Sequence, residues 1–367
     1  MGIPDVLRLY FGESNLPTPA YIKRAAERAL QEGYTYYTEN AGLPSLRHAI
    51  ATHYAKLQRV EPDPSNEIVV SASGVQALAL SIRAVLDPGD EAILLTPAWP
   101  NASAIVGLAN ARAIEIAQPM RGSRYEIDFE AIEAAISPRT RLLVYTSPSN
   151  PLGWVATEDD QLRMLELSRR YGLWLLADEV YDRLYYSGAH HGQPVPSILR
   201  LATREDSVFV VHSMSKSYCM TGWRLGWLIA RADMARKCGQ MNEFMVSCAA
   251  AFVQRAAQTA LEEGETELLA MLARLRENRD FCLKALREMP RLQVPEPDGA
   301  FYLFPKVDGV ADSFAFCKRL LETKKLGIAP GVAFGEGGEG SVRICYASDL
   351  SVLEPAMERL REFLNEY

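Results

Sequence analysis

Cysteine is sparse and unpatterned. The six cysteines, Cys219, Cys238, Cys248, Cys282, Cys317 and Cys345, never fall at C-x-x-C spacing, so neither a cysteine zinc site nor a disulfide framework is indicated and reduced thiols are expected. Histidine is equally short of ligand patterns. The five histidines contain no H-x-x-x-H, and the adjacent pair His190 and His191 reads as surface. Nowhere do about 18 apolar residues run together, and no basic segment leads into an apolar one at the start, which argues against a membrane-spanning helix or a signal peptide. The expected location is the cytoplasm. Positive charge is also in deficit: 39 Lys and Arg stand against 46 Asp and Glu, a formal net charge of -7. That balance, with no basic arm, excludes a general binder of nucleic acid or of anionic membrane. No internal repeat or low-complexity linker interrupts the chain.

What is present is an ordinary globular composition, 48% hydrophobic and 23% charged over 367 residues, enough for two or three domains. From Glu67 onward, seven short apolar runs are candidate strands: EIVV, EAILL, ARAIEIA, RLLVYT, LWLLAD, SVFVV and RLGWLIA. Between most of them, segments such as VQALALSIRAVL from Val75 and DQLRMLELSRRYG from Asp160 carry apolar residues at helical spacing. Because the runs are nearly continuous rather than alternating, both sheet faces are expected to be covered by helices. The fold class is therefore α/β, with a large domain built on a mostly parallel seven-stranded sheet. After Ala230 the texture changes to a long helical tract, Met234 to Met289, then a strand or hairpin in PDGAFYLFPKV, a helix from Ser313 to Lys325, a strand from Ser341 to Tyr346 and a C-terminal helix. These suit a smaller α+β domain. The expected division assigns 21–272 to the large domain and 1–20 with 273–367 to the small one.

Ligands of such sheets sit beyond the carboxyl ends of the strands, and unusual residues gather there. The first run ends in SASGVQAL, where Ser73, Gly74 and Val75 open a helix whose free N–H groups could face a phosphate; Ser73 alone would read as a cap. TPAWPN sets Trp99 between prolines, as core or as a flat face for a ring. TSPSNPLG holds Asn150 in a rigid turn, and ADEVYDRLYY places Asp178 directly after an apolar run with Tyr181 three residues on. A carboxylate there needs a cation or donors. Finally SMSKSYCMTGWRLGW carries Lys216 and Arg224 straight after SVFVVH. A phosphate-binding helix start, an aromatic face, amide and phenol donors, an acid, a lysine and an arginine together fit pyridoxal 5′-phosphate: the lysine condenses with its aldehyde, the acid keeps the ring nitrogen protonated, and the arginine and hydroxyls hold the phosphate.

From FGESNLPTP at Phe11 to RICYA at Arg343 the chain resembles the class I/II aminotransferases, fold type I pyridoxal-phosphate-dependent enzymes. The stretch from Ser215 matches the family's S-K-x5-G-x-R-x-G pattern. The resemblance implies that Lys216 is the cofactor-linked lysine and proton shuttle and that Ser213 and Arg224 are phosphate ligands. It makes Asp178 the partner of the pyridinium nitrogen, gives Tyr181 and Asn150 the cofactor's O3′, and stacks Trp99 on its ring. YTENAGLPSLR resembles Y-x4-G-x-x-x-L-R, implying that Tyr37 reaches the cofactor phosphate of a neighbouring subunit and that the protein is a homodimer. Arg343 matches the arginine that binds a substrate α-carboxylate, and Gly12 a loop that closes over substrate.

The chain starts eleven residues before Gly12, so the N-terminal helix of many members is expected to be missing or replaced. Val75 stands where one dicarboxylate-specific subgroup has lysine, and no second arginine is placed for a side-chain carboxylate. The expected reaction is ping-pong transfer of an amino group between an L-amino acid and a 2-oxo acid, with Lys216, Asp178 and Tyr181 as catalytic residues. A β-lyase, a decarboxylase or a cyclopropane-forming synthase would use nearly the same cofactor residues, and a non-catalytic ligand-binding dimer would keep the fold alone.

Overall fold

The seven apolar runs make one sheet. In the computed structural model, which describes residues 4–186 and 192–367 and so leaves His190 and His191 outside the described residues, they become β1 Ile68–Ser71, β2 Glu91–Thr96, β3 Arg112–Ala117, β4 Thr140–Thr146, β5 Trp174–Asp178, β6 Val208–Ser213 and β7 Gly226–Ala230. Their spatial order is β1-β7-β6-β5-β4-β2-β3. Only β7 is antiparallel to its neighbours, so the other six strands all end at one edge of the sheet.

Alternate residues face opposite ways, and both ways lead into a core. Ile93, Leu143, Leu175, Val210 and Trp227 pack on one face, among helices Ala20–Gln31, Pro44–Gln58, Glu158–Tyr171 and Ala251–Glu263. On the other, Leu94, Leu142, Leu176, Phe209 and Leu228 meet helices Gly74–Val85, Asn101–Leu108 and Ala232–Met245. At about 1.5–3 kcal/mol for each fully buried large side chain, this double burial is what demands unbroken apolar runs. Only the edge strand β3 has no buried residue: Arg112 is exposed and the rest are half-buried. Local signals set the helix limits: Thr157 and Asp160 form a reciprocal cap at the start of Glu158–Tyr171, and Gly172, at φ 65°, ends it in the left-handed region.

The long helical tract is three helices, Ala232–Met245, Ala251–Glu263 and Glu265–Arg287. Ser247, at φ 60°, turns the chain between the first two. At the second break, a Cβ on Gly264 would stand 2.4 Å from both the Ala260 carbonyl oxygen and the Tyr21 hydroxyl. The expected division at residue 272 falls inside the third helix, which from Leu268 onward packs into a second core with Phe301, Tyr302, Phe316, Ile344 and Phe363. PDGAFYLFPKV is not a hairpin. Tyr302–Leu303 pairs with Val342–Cys345, the segment runs on beside the same chain with the Val342 N–H donating to the Pro305 carbonyl and Lys306 bridging Ser341, and Lys306–Val307 also pairs with Leu292–Gln293. Helices Ser313–Lys324 and Leu350–Glu366 cover these short strands. Ahead of Gly12, the described residues hold strand Leu7–Arg8, parallel to Leu326–Gly327, and no helix. None of the described helices is long and apolar enough to cross a membrane.

Candidate active site

The edge where six strands end opens into a cavity of about 390 Å³ between the sheet and the short-stranded region. Register puts the strand ends side by side: Thr146 pairs with Asp178, Asp178 with Val211, and Ser213 with Gly226. Because Ser213 and Gly226 face each other, the connection between β6 and β7 starts and finishes at one place, and it brings Lys216 and Arg224 to the same cavity.

Helix Gly74–Val85 starts against this connection. A Cβ on Gly226 would lie 2.5 Å from the Gly74 nitrogen and 2.5 Å from the His212 carbonyl, and one on Gly74 would come within 3.0 Å of Ser213 Cβ. Glycine is required at 226 for the helix start to reach the sheet at all. Gly74 and Val75 line the cavity. Ser73 is not among the lining residues, and its Oγ accepts the Gln76 N–H at 3.1 Å as a helix cap.

Lys216 donates through Nζ to the Gly12 carbonyl, and Nζ lies 5.6 Å from the Tyr181 ring centroid. Asp178 forms the floor, with only the Val180 N–H near its Oδ1 at 3.4 Å. Burial pushes its carboxyl up to about 6, offset in part by the Val180 amide and by His212 and Lys216 nearby. Ser213 Oγ accepts the Ser215 N–H at 3.1 Å and donates to the Leu225 carbonyl at 3.3 Å. Arg224, at φ 54°, holds its guanidinium on the Thr221 carbonyl and 3.5 Å from Ser215 Oγ.

Across the cavity Arg343 is 1% exposed. Its Nη1 donates to Asn150 Oδ1 at 2.8 Å and its Nη2 to the Tyr10 carbonyl. The guanidinium also lies 4.6 Å from the Tyr302 ring centroid, 4.9 Å from Phe334 and 5.6 Å from Trp99. No carboxylate of the described residues pairs with Arg343 or Arg224, and Arg343 Nε is buried without a partner. Gly12 sits against this group: a Cβ there would be 2.6 Å from the Tyr302 hydroxyl.

Tyr302 is the residue that sequence reasoning missed. It lines the cavity, shares a 2.9 Å hydrogen bond with the Tyr181 hydroxyl and stacks on Arg343. The one available signal was a phenol inside the apolar run AFYLF, where a buried hydroxyl needs a partner. Asn150 and Tyr181 both line the cavity, but here each is bonded elsewhere, to Arg343 and Tyr302. Tyr37 is not at the cavity of its own chain and is 87% exposed.

A lysine, a floor carboxyl and two arginines free of carboxylates are therefore assembled in one cleft. The sequence profile described as aminotransferase class I and II matches residues 5–360. The chain belongs to that family. An aspartate aminotransferase of Pyrococcus horikoshii is 34% identical over 366 residues, covering 98% of this chain and 91% of the relative. A probable N-acetyl-LL-diaminopimelate aminotransferase of Bacillus subtilis is 33% identical over 98% of this chain and 89% of its own. Among solved structures, an aromatic aminotransferase from Pyrococcus horikoshii superposes with a TM-score of 0.93 at 33% identity, covering 99% of this chain and 97% of the other. The protein is an aminotransferase of the α/β fold type I class, a transaminase moving amino groups between amino acids and 2-oxo acids.

Proposed function

We propose that the cavity holds pyridoxal 5′-phosphate and uses it for ping-pong transamination. The residues present fit the group. Arg224, Ser213 and the start of helix Gly74–Val85 offer cationic and N–H donors suited to a phosphate; Asp178 is a floor carboxyl that gains most from a nearby cationic ring nitrogen. Trp99 offers a ring face, and Asn150 and Tyr181 offer polar atoms for the remaining oxygen. When bound, the cofactor supplies an aldehyde for amine exchange and an electron sink for charge developing at the substrate Cα.

Arg343 binds the substrate α-carboxylate through its guanidinium, which Asn150 and Tyr302 hold in place. Lys216 is the base that would take the proton from Cα and deliver it to the cofactor's former aldehyde carbon, across the substrate nitrogen, a transfer requiring a base within hydrogen-bond reach. Gly12 brings bare backbone over the substrate, and its carbonyl holds the lysine amine in place. Trp99, Phe11 and Tyr302 give the cavity an aromatic lining. The single observation that carries the reading is that Lys216, Asp178, Arg224 and Arg343, drawn from distant parts of the chain, line one cavity in which neither arginine has a carboxylate partner.

Two further points belong to this reading. Tyr36 and Tyr37 are 83% and 87% exposed, which supports a homodimer in which Tyr37 serves the partner's cofactor phosphate. Six free cysteines support a cytoplasmic location. The test mixes cofactor-loaded protein with single amino acids and no acceptor. One equivalent of 2-oxo acid per site, without ammonia, is expected from a good donor; continuous release of oxo acid and ammonia would mean elimination instead.

A further inference from the structure

Three buried or half-buried carboxyl groups, Asp178, Glu179 and Asp182, lie at and just beyond the end of β5, and the reaction above uses only Asp178. Asp182 faces the other side of the sheet, where its Oδ1 lies 2.8 Å from His212 Nε2. Both side chains are buried. Burial works to raise the Asp182 carboxyl, and the hydrogen bond from the His212 ring works to lower it. Arg183 itself is committed to Glu265 at 2.7 Å. On the other side of the imidazole, the backbone N–H of Ser213 donates to Nδ1 at 2.8 Å. An accepted hydrogen bond at Nδ1 needs a lone pair there, so the ring proton sits on Nε2 and points at Asp182. The ring is further fixed by Trp227, directly across on β7, with centroids 4.4 Å apart and planes 9° from parallel.

Ser213 is where β6 gives way to the connection that carries Lys216. We propose that Asp182 and His212 are positioning residues for that connection: the carboxylate holds the imidazole in the tautomer that accepts the Ser213 amide, and this pins the strand end from which Ser213, Ser215 and Lys216 enter the cavity. An apolar side chain at 212 would pack against Trp227 equally well but would leave a buried N–H without an acceptor. A buried carboxylate beside an imidazole is a costly way to gain stability alone, which accords with a role in placement. The inference rests on the reading that this connection holds the cofactor, and deepens it.

Two measurements test it. The first is nitrogen NMR of the unsubstituted, cofactor-free protein with labelled histidine. His212 is expected to carry its proton on Nε2 and none on Nδ1; a protonated Nδ1 overturns the proposal. The second compares His212→Asn, whose side-chain oxygen can stand in for Nδ1, with His212→Gln, which reaches Asp182 but offers Ser213 no acceptor. By equilibrium dialysis, the dissociation constant for pyridoxal 5′-phosphate should rise about tenfold in His212→Gln and stay within about threefold in His212→Asn, while the melting temperatures of the two cofactor-free variants fall alike. Equal loss of affinity in both, or no loss in either, overturns it. If the unsubstituted protein binds no pyridoxal 5′-phosphate, the reading of the site fails, and the tautomer still decides whether the couple exists.

Discussion

The two walls of the cavity are built from different kinds of backbone. One wall is the edge of a seven-stranded sheet, where Thr146, Asp178 and Ser213 are aligned by ladder pairing and each strand is buried on both faces. The other is assembled from strands of two to four residues and from loops, with Gly12, Tyr302 and Arg343 drawn together from the two ends of the chain. On the first wall a residue's place follows from its own strand. On the second it follows from contacts between segments: Arg343 is held by Tyr10, Asn150, Tyr302, Phe334 and Trp99, none of which is its sequence neighbour. The difference suggests a division of labour, in which the sheet wall sets the cofactor chemistry and the terminal wall sets recognition of the α-carboxylate.

Substitutions can break that division. The largest effect is expected on the sheet wall: Lys216→Ala should lower turnover by on the order of 10⁴-fold or more, and near-normal oxo acid formation would remove Lys216 from the reaction. Next, Arg343→Gln on the terminal wall should cost roughly 10²–10³-fold in kcat/KM, chiefly through KM, because a buried charged partner of the substrate is lost. Its affinity for pyridoxal 5′-phosphate should hold. A fall in that affinity comparable to the rise in KM would show that the walls do not divide the work.

Two glycines sharpen the comparison at smaller scale. Gly226→Ala drives a Cβ into backbone on both sides and should lower stability by about 2–3 kcal/mol in urea titration while weakening cofactor binding. Gly12→Ala meets only the Tyr302 hydroxyl at close range, a side chain that can shift, so a stability loss of about 1 kcal/mol or less is expected, with a raised KM.

A separate effect concerns pH. Glu179 is buried, with its Oε1 taking N–H and O–H donors from Ile198 and Ser197, and burial pushes its carboxyl from 4.5 to about 8. Within that window the folded protein keeps a proton that the unfolded chain has released. The stabilisation is complete below 4.5 and is lost as pH rises towards about 8. Glu179→Gln should flatten this slope in the cofactor-free protein, read as urea midpoints at the two ends of the window. Identical slopes would show that Glu179 does not bind that proton.

Much of the sheet wall was legible in advance. Burial on both faces forces continuous apolar runs, and the polar residues that interrupt them, Asp178 and the Ser213–Lys216 stretch, mark the strand ends. The terminal wall was less so. Arg343 and Gly12 were found through family resemblance, while Tyr302 went unnoticed inside what reads as core. Ser73 caps helix Gly74–Val85 through its side chain, a role its place before the helix already offered. Helix breaks at Ser247 and Gly264 were missed because each depends on local backbone turning or on the close approach of Tyr21.

By itself, then, the sequence determined the α/β class, the seven strands and the strand ends bearing the reactive groups, because short-range periodicity reports burial directly. Only tertiary structure decided the pairing of the two-residue strands, the aromatic and amide cage around Arg343, and the His212 ring that joins Asp182 to Ser213. Those depend on contacts between segments that include groups as far as 333 positions apart in the chain, which no local pattern encodes.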